Sequence, residues 1–456
     1  MHDSSRDRRA QAISIWSAGV DAVRPSALVP RALGNSSLGI SGALAGASRI
    51  LVVGAGKAGA AMSAALAEAL AESRKPIIGL VNVPNETVCP LPVNIELHGA
   101  RPTASNQPTE AGVAGARRIL EIVGSAGPSD VCICLLSGGG SALLPAPCPG
   151  ITLEQKQRVT LLLHACGASI GEMNAVRKHL SAIKGGRLAE AFKGSALYSL
   201  ILSDVIGDPL DVIASGPTVA DPTTFADALA VLRKYGLLEG SAGDRSGRVP
   251  MEVVRYLENG IAGVHPETPK QTRANVRNLI IGNNQFALET AARKAEHLGF
   301  HVHSLGSAID GDTAAAVMVH AKAITELLDK QTRDLRPICL LSGGETTVNV
   351  GASPGKGGRN QEFALALLLK LPAALIERVT ILAGGTDGED GPTDAAGAIV
   401  DLDTWARAED GAMQALEAHD AYPFLDRTGS LLRTGLTQTN VMDLRVILLF
   451  NHAKQS

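Results

Sequence analysis

Short apolar runs free of charge alternate along the chain with longer segments whose apolar positions recur at helical spacing. The runs at 49–53, 77–83, 131–136, 198–203, 278–281, 301–305, 346–350, 379–383 and 444–449 read as strands, several apolar enough to be buried on both faces. The periodic stretches at 8–20, 59–72, 113–123, 153–164, 285–297 and 313–328, and another after Gly358, read as helices. Strand followed by helix at crossover spacing predicts an α/β protein whose N-terminal sheet is mostly parallel, with a second α/β domain after it. The pattern changes between residues 238 and 277, where GSAGDRSGRVP and HPETPKQTR flank one further helix. A boundary there predicts two domains, 1–240 and 241–456.

One apolar run occurs twice. Ile133-Cys-Leu-Leu-Ser-Gly-Gly139 and Ile338-Cys-Leu-Leu-Ser-Gly-Gly344 are identical, and each ends abruptly in serine and glycines. Glycines after a buried strand suit a tight turn with outward N–H groups, which at a helix start can hold phosphate. Ser137, Gly138, Gly139, Gly140 and Ser141 are one expected anion loop, and Gly343 and Gly344 the other. Duplication explains the match no better than a shared need for buried strand and turn.

Composition narrows the classes. The chain has 456 residues, too many for one ordinary core, and its 42 basic and 45 acidic residues leave a net charge of −3. No basic stripe favours nucleic acid, and no apolar stretch reaches the length of a membrane span. Aromatics make up 3% of the residues, so the cores must be packed from Ala, Leu, Val and Ile. The six cysteines form no CxxC pair and read as buried reduced thiols in a soluble cytoplasmic protein.

Candidate chemistry follows the strands. Gly54-Ala-Gly56-Lys57-Ala-Gly59 places GxGxxG after a strand and before a helix, the context of a dinucleotide fingerprint. The second strand ends Leu80-Val81-Asn82 without a carboxylate for a ribose hydroxyl, and Lys57 sits in the turn itself. A lysine at a helix start gains nothing from the dipole unless an anion joins it. The densest basic patch, Arg177-Lys178-His179 with Lys184 and Arg187, reads as an anion site or as a solvated helix face. Asp204 and Asp208 follow a buried strand, and Asp387, Glu389, Asp390 and Asp394 crowd a later turn. Such carboxylates can hold Mg²⁺ or accept a hydroxyl proton. Arg359 opens a helix after Gly355-Lys-Gly-Gly358, where the dipole disfavours it unless its planar fork meets an anion. Cations, glycine turns and carboxylates together form the inventory of phosphoryl transfer.

The words GAGKAG, LLSGGGSALL, MNAVRKHLSAIKGGRLA, LILSDVIGDPLDVIASGPT, LLSGGETTV, GKGGRNQEFAL and GGTDGEDGPTDAAGA closely resemble the glycerate 2-kinase family over nearly the whole chain. The resemblance implies a Rossmann-like N-terminal domain, a smaller α/β MOFRL domain and an active site in the cleft between them. It implies phosphorylation of D-glycerate at the 2-hydroxyl by ATP with Mg²⁺, in a monomer or homodimer that binds neither nucleic acid nor membrane. By the same resemblance Lys57 and Arg359 brace the transferring phosphoryl or the glycerate carboxylate. One of Asp204 and Asp387 acts on the 2-hydroxyl, and metal ligands come from Asp204, Asp208, Asp387 and Asp390. Gly54, Gly56, Ser137 to Ser141, Lys178, Lys184, Gly343 and Gly344 contact the nucleotide phosphates. Lys57→Ala or Arg359→Ala is then expected to remove most of kcat and leave the fold intact. The rivals are an NAD(P)H-dependent hydroxypyruvate reductase and a non-catalytic sugar-phosphate-binding protein. Two segments depart from the family. His98-Gly-Ala-Arg101-Pro102 replaces a His-Pro loop, and Thr434-Gly-Leu-Thr-Gln-Thr-Asn-Val-Met-Asp-Leu444 stands where the family reads TGPTGTNVNDL.

Overall fold

The computed structural model describes residues 2–103, 105–238, 247–330, 336–350 and 355–451. The chain forms two compact units, Leu28–Ile281 and the pair of segments Met1–Ala27 and Gly282–Ser456. The boundary expected at 240/241 lies outside the described residues. Described residues on both sides of it belong to the first unit, so the chain divides at 281/282. The physical reason is packing: Phe225, Leu229, Val253 and Leu257, drawn from both sides, share one apolar cluster with Met173 and Val176.

In the Leu28–Ile281 unit, β1 (Ile50–Ala55), β2 (Ile77–Pro84), β3 (Ile95–Arg101), β4 (Val131–Leu136), β5 (Ala196–Leu202) and β6 (Val276–Gly282) form one sheet. Its order is β3-β2-β1-β4-β5-β6, and every pair from β3 through β5 is parallel. This is the doubly wound Rossmann order, which reverses direction between β1 and β4. β1 and β4 are buried at every position, as their uncharged sequences predict. The helix Glu110–Gly124 covers one face through Ala116, Ile119 and Val123. Sequence pattern missed β3, because Glu96, His98 and Arg101 disguise an edge strand.

The other unit is built on β7 (His301–Ser304), β9 (Ile338–Gly344), β11 (Val379–Gly385), β12 (Gly397–Val400), β13 (Leu431–Leu432) and β14 (Asp443–Leu449). The short strands β8 (Gly311–Asp312) and β10 (Thr346–Thr347) pair separately, and β10 is all that forms of the strand expected at 346–350. The large sheet runs β13-β12-β11-β14-β9-β7, and only β7 and β9 are parallel. This sheet is mixed because the last strand, β14, inserts antiparallel between β11 and β9. The first helix, His2–Ala22, belongs to this unit. Ala12, Ile15, Trp16 and Val20 bury against Leu382, Leu444 and Val446, and Arg9 clasps Asp401 through two hydrogen bonds of 2.6 and 2.7 Å. Gly19 permits this approach, since a Cβ there would sit 2.8 Å from Leu444.

All six cysteines are free. Cys132, Cys134, Cys148 and Cys339 are buried as expected, whereas Cys89 is exposed. Among the described residues no helix is long and apolar enough to cross a membrane.

Candidate functional site

At the carboxyl ends of β1 and β4, where the sheet order reverses, two loops lock together. The turn after β1 uses its own amides internally. Gly56 N–H donates to Asn82 O (3.3 Å), Lys57 N–H to Gly138 O (2.8 Å), Ala58 N–H to Ser137 Oγ (3.1 Å) and Gly59 N–H to Gly56 O (3.0 Å). Gly54 and Gly56 are glycines because a Cβ on either would strike Leu135 or Ser137 of the neighbouring strand. The fingerprint is therefore an inter-loop clasp, and the expectation that Gly54, Gly56 and Ser137 contact phosphate is corrected: each is used in holding the loops together.

The amides left open belong to the β4 loop. Gly140 N–H donates to Ser137 O, but among the described residues no acceptor takes the Gly138 or Gly139 amide. Gly139 adopts φ 73°, the left-handed conformation that turns successive N–H groups to one side. A Cβ on Gly139 would meet Lys57 Cγ at 3.2 Å and Arg101 at 3.1 Å, so two cations flank this turn. A Cβ on Gly138 would fall within the Asp204 carboxylate, which places Asp204 against the same loop. Arg101 is 1% exposed, and among the described residues its Nε and one Nη have no partner. The sequence reading passed over Arg101, because it ends the disguised strand β3. Its signal was a buried arginine with donors to spare.

Ser141 faces a further group. Its Oγ lies 2.6 Å from Lys184 Nζ and 2.8 Å from Ser215 Oγ, and also receives Arg177. Lys184 is fully buried, and Lys156, which the sequence reading did not single out, joins from the helix Leu153–Ala165. Burial, reinforced by Arg177, lowers the Lys156 pKa to about 7 and pulls Lys184 well below its ordinary value. Lys178 points elsewhere. It pairs with Asp211 (3.1 Å) and Asp221 (3.4 Å) at 2% side-chain exposure, so it holds the fold and the expected phosphate contact is corrected. Asp208, Ala214 and Ser215 all have φ between 51° and 59°, strain that concentrates in the loop facing Ser141.

In the other unit Arg359 starts the helix Arg359–Lys370 and grips Asp443 through two bonds of 2.8 and 2.9 Å. Glu345 lies 2.9 Å from its other nitrogen, and Asn360 also donates to Asp443 at 2.9 Å. Burial alone would lower the Arg359 pKa, but the Asp443 carboxylate and its hydrogen bonds raise it above the ordinary value. Asp390 accepts the Asn360 and Gln361 amides at 3.0 and 2.9 Å, and so caps this helix. Both its oxygens face the helix, and burial pushes its pKa up to about 7. The metal role expected for Asp390 is therefore corrected to a structural one. Gly343 and Gly344 are corrected as well. They lie inside β9, opposite Leu444 and Asp443, and they are glycines because Asn284 and Ile309 press against them.

Asp387 lies beside the 434–443 segment. Its carbonyl accepts the Thr437 amide, while Thr386 binds Met442 O and Val441 N, which ties the acidic turn to the 434–443 segment. Arg433 and Tyr422 occupy Asp394. Among the described residues no three His, Cys, Asp or Glu side chains form a ready metal cluster.

Two family models match the chain: a domain of unknown function, DUF4147, over residues 11–245, and the MOFRL family over 338–443. The chain is 38% identical to a D-glycerate 2-kinase of Thermotoga maritima, over 96% of this chain and 97% of that protein. It is 40% identical to an Agrobacterium vitis protein provisionally named hydroxypyruvate reductase, over 88% and 87% of the two chains. The crystal structure of a glycerate kinase from Thermotoga maritima superposes with a TM-score of 0.83 at 36% identity, covering 97% of this chain and all of that one.

Proposed function

Since the chain belongs to the glycerate 2-kinase family, with its DUF4147 and MOFRL parts, we propose that it transfers the terminal phosphoryl group of ATP to the 2-hydroxyl of D-glycerate. The observation that carries this reading is the pair of open amides at Gly138 and Gly139, flanked by Lys57 and Arg101 and faced by Asp204. Phosphoryl transfer asks a protein mainly to orient oxygens and to offset charge spread over the moving group. The two amides and Lys57 supply fixed donors for that charge, and Arg101 has unused N–H groups for a phosphate or for the glycerate carboxylate. Asp204 accepts the proton of the 2-hydroxyl or orients it. The carboxylates of Asp204 and Asp208 suit Mg²⁺ arriving with the nucleotide, since that ion keeps most of its ligands from water and phosphate. They would hold it, and the ion would offset phosphate charge. Arg359 keeps its proposed role as a ligand-facing cation, steadied by Asp443 and Glu345. Asp387 is the corresponding carboxylate of that unit. A cytoplasmic location suits ATP as the donor.

A reductase is the second reading, favoured by the name of the Agrobacterium vitis relative. The clasped amides of the β1 turn oppose it, because a dinucleotide pyrophosphate needs them. Two assays separate the readings. ADP formation that depends on D-glycerate supports the kinase, and steady loss of NADH absorbance with hydroxypyruvate, without ADP formation, overturns it.

A further inference from the structure

Beside the Gly138–Gly139 turn, the Leu28–Ile281 unit holds a cavity of about 210 Å³ lined by Ser141, Lys156, Gln157, His164, Arg177 and Lys184. Its charge is one-sided. Among the described residues Lys184 Nζ finds only neutral oxygens, Ser141 O at 2.7 Å, Ser141 Oγ at 2.6 Å and Ser215 Oγ at 3.4 Å. Lys156 Nζ donates to Leu180 O at 3.3 Å, and Arg177 to Asn174 Oδ1 at 3.3 Å and to Ser141 Oγ. Among the described residues no carboxylate forms an ion pair with any of the three, although Lys184 is 0% and Lys156 7% exposed. Lys178, next to Arg177 in sequence, shows the alternative: it has two aspartates. Burying like charges without a counter-charge is costly, and an arginine cannot escape by losing its proton. A lysine can, but the ring of cations and hydroxyls opens into a cavity rather than packing closed.

We propose that this cavity is a binding site for a small phosphate-type oxyanion, held by Arg177, Lys184 and Lys156 with the Ser141 hydroxyl as its hinge. The volume is below the roughly 300–1,000 Å³ usual for pockets that take drug-sized ligands, so it admits a phosphate group and not a whole nucleotide. The ligand is a free phosphate or phosphomonoester, or one phosphate of a longer chain. The inference deepens the kinase reading by adding an anion subsite beside the glycine turn, and it rests on that reading only for the origin of the phosphate.

The test is calorimetric titration of the full chain with inorganic phosphate, without nucleotide or glycerate. Saturable binding is expected, weakened at least tenfold in Arg177→Gln and in Lys156→Gln. These two substitutions avoid Lys184, whose replacement could disturb folding, and circular dichroism confirms that each variant is folded. Loss of phosphate binding when ATP is present identifies a nucleotide phosphate as the occupant. Persistence with ATP, and displacement by 2-phosphoglycerate, identifies a phosphomonoester. No saturable binding by the unaltered protein, or equal binding by Arg177→Gln, overturns the proposal. Because turnover is not measured, a protein that binds phosphate through Arg177 yet fails to phosphorylate glycerate would refute the kinase reading alone.

Discussion

The backbone N–H of Lys57 donates to the carbonyl of Gly138 at 2.8 Å, so the turn bearing the lysine and the turn bearing the open amides are fixed to each other. The lysine is positioned by its main chain, and its side chain is left to act. A buried clasp of this kind, at the point where the strand order reverses, fixes a cation and two N–H groups without a long loop.

Gly138→Ala tests that geometry, because the added methyl would displace the Asp204 carboxylate. Turnover of glycerate should fall by about 100-fold or more, with the circular dichroism spectrum unchanged. Turnover within a factor of three of the original would remove Asp204 and the glycine turn from the site.

Arg359→Ala should not spare the fold, contrary to the expectation drawn from sequence. It takes from Asp443, which is 0% exposed, its two-pronged partner and leaves it Asn360 and a longer contact to Arg445, a loss of about 1–3 kcal/mol. Denaturant unfolding of Arg359→Ala, Asp443→Asn and the double variant measures this. The double variant should be less destabilised than the sum of the two, and strict additivity would mean the pair is not coupled.

The segment that departs from the family carries its own strain. Gln438 and Met442 have φ of 64° and 72°, at the two positions where the family motif reads Gly and Asn. Both family residues tolerate the left-handed region, whereas Gln and Met pay about 1–2 kcal/mol there. Gln438→Gly, at an exposed position, should therefore raise the thermal midpoint, whereas Met442→Gly also deletes a buried side chain and should lower it. An unchanged or lower midpoint in Gln438→Gly would show that the neighbouring hydrogen bonds, not the backbone, set the stability of the loop.

His320 sets a pH dependence. Its Nδ1 faces Ala316 O and its Nε2 faces Ser342 Oγ, both at 2.7 Å, an arrangement that suits the neutral ring with its proton on Nδ1. Burial depresses its pKa to about 4. Between pH 4 and the unfolded value near 6.5 the unfolded chain binds a proton that the folded chain refuses. Its contribution to stability is thus complete above about pH 6.5 and is lost as pH falls toward 4, about 3 kcal/mol in all. Relative to His320→Gln, the original protein should lose stability over that interval, and parallel pH profiles would contradict the assignment.

The strands of the Rossmann sheet were legible because uncharged runs such as Val131–Leu136 can only be buried, and the site loops follow from where those strands end. Lys57, Asp204 and the Gly138–Gly139 turn were legible for the same reason. Roles that depend on a distant partner were not. Arg177 and Lys178 are adjacent in one helix, but only the folded chain brings Asp211 and Asp221 to Lys178 and, among the described residues, leaves Arg177 without a carboxylate. Two identical ICLLSGG words likewise end differently. The first turns after Leu136 into a loop, whereas the second continues as strand through Gly344 because β14 pairs with it to the end. Antiparallel pairing by a strand from the far end of the chain leaves no local signature.

Phosphorus NMR of the product formed from ATP, Mg²⁺ and D-glycerate tests the central claim most directly. A phosphate ester on carbon 2 couples to one proton and gives a doublet in the proton-coupled spectrum, whereas an ester on carbon 3 couples to two and gives a triplet. A doublet that grows in step with ADP and is absent in Lys57→Ala is expected. A triplet, or no glycerate ester at all, would contradict that claim.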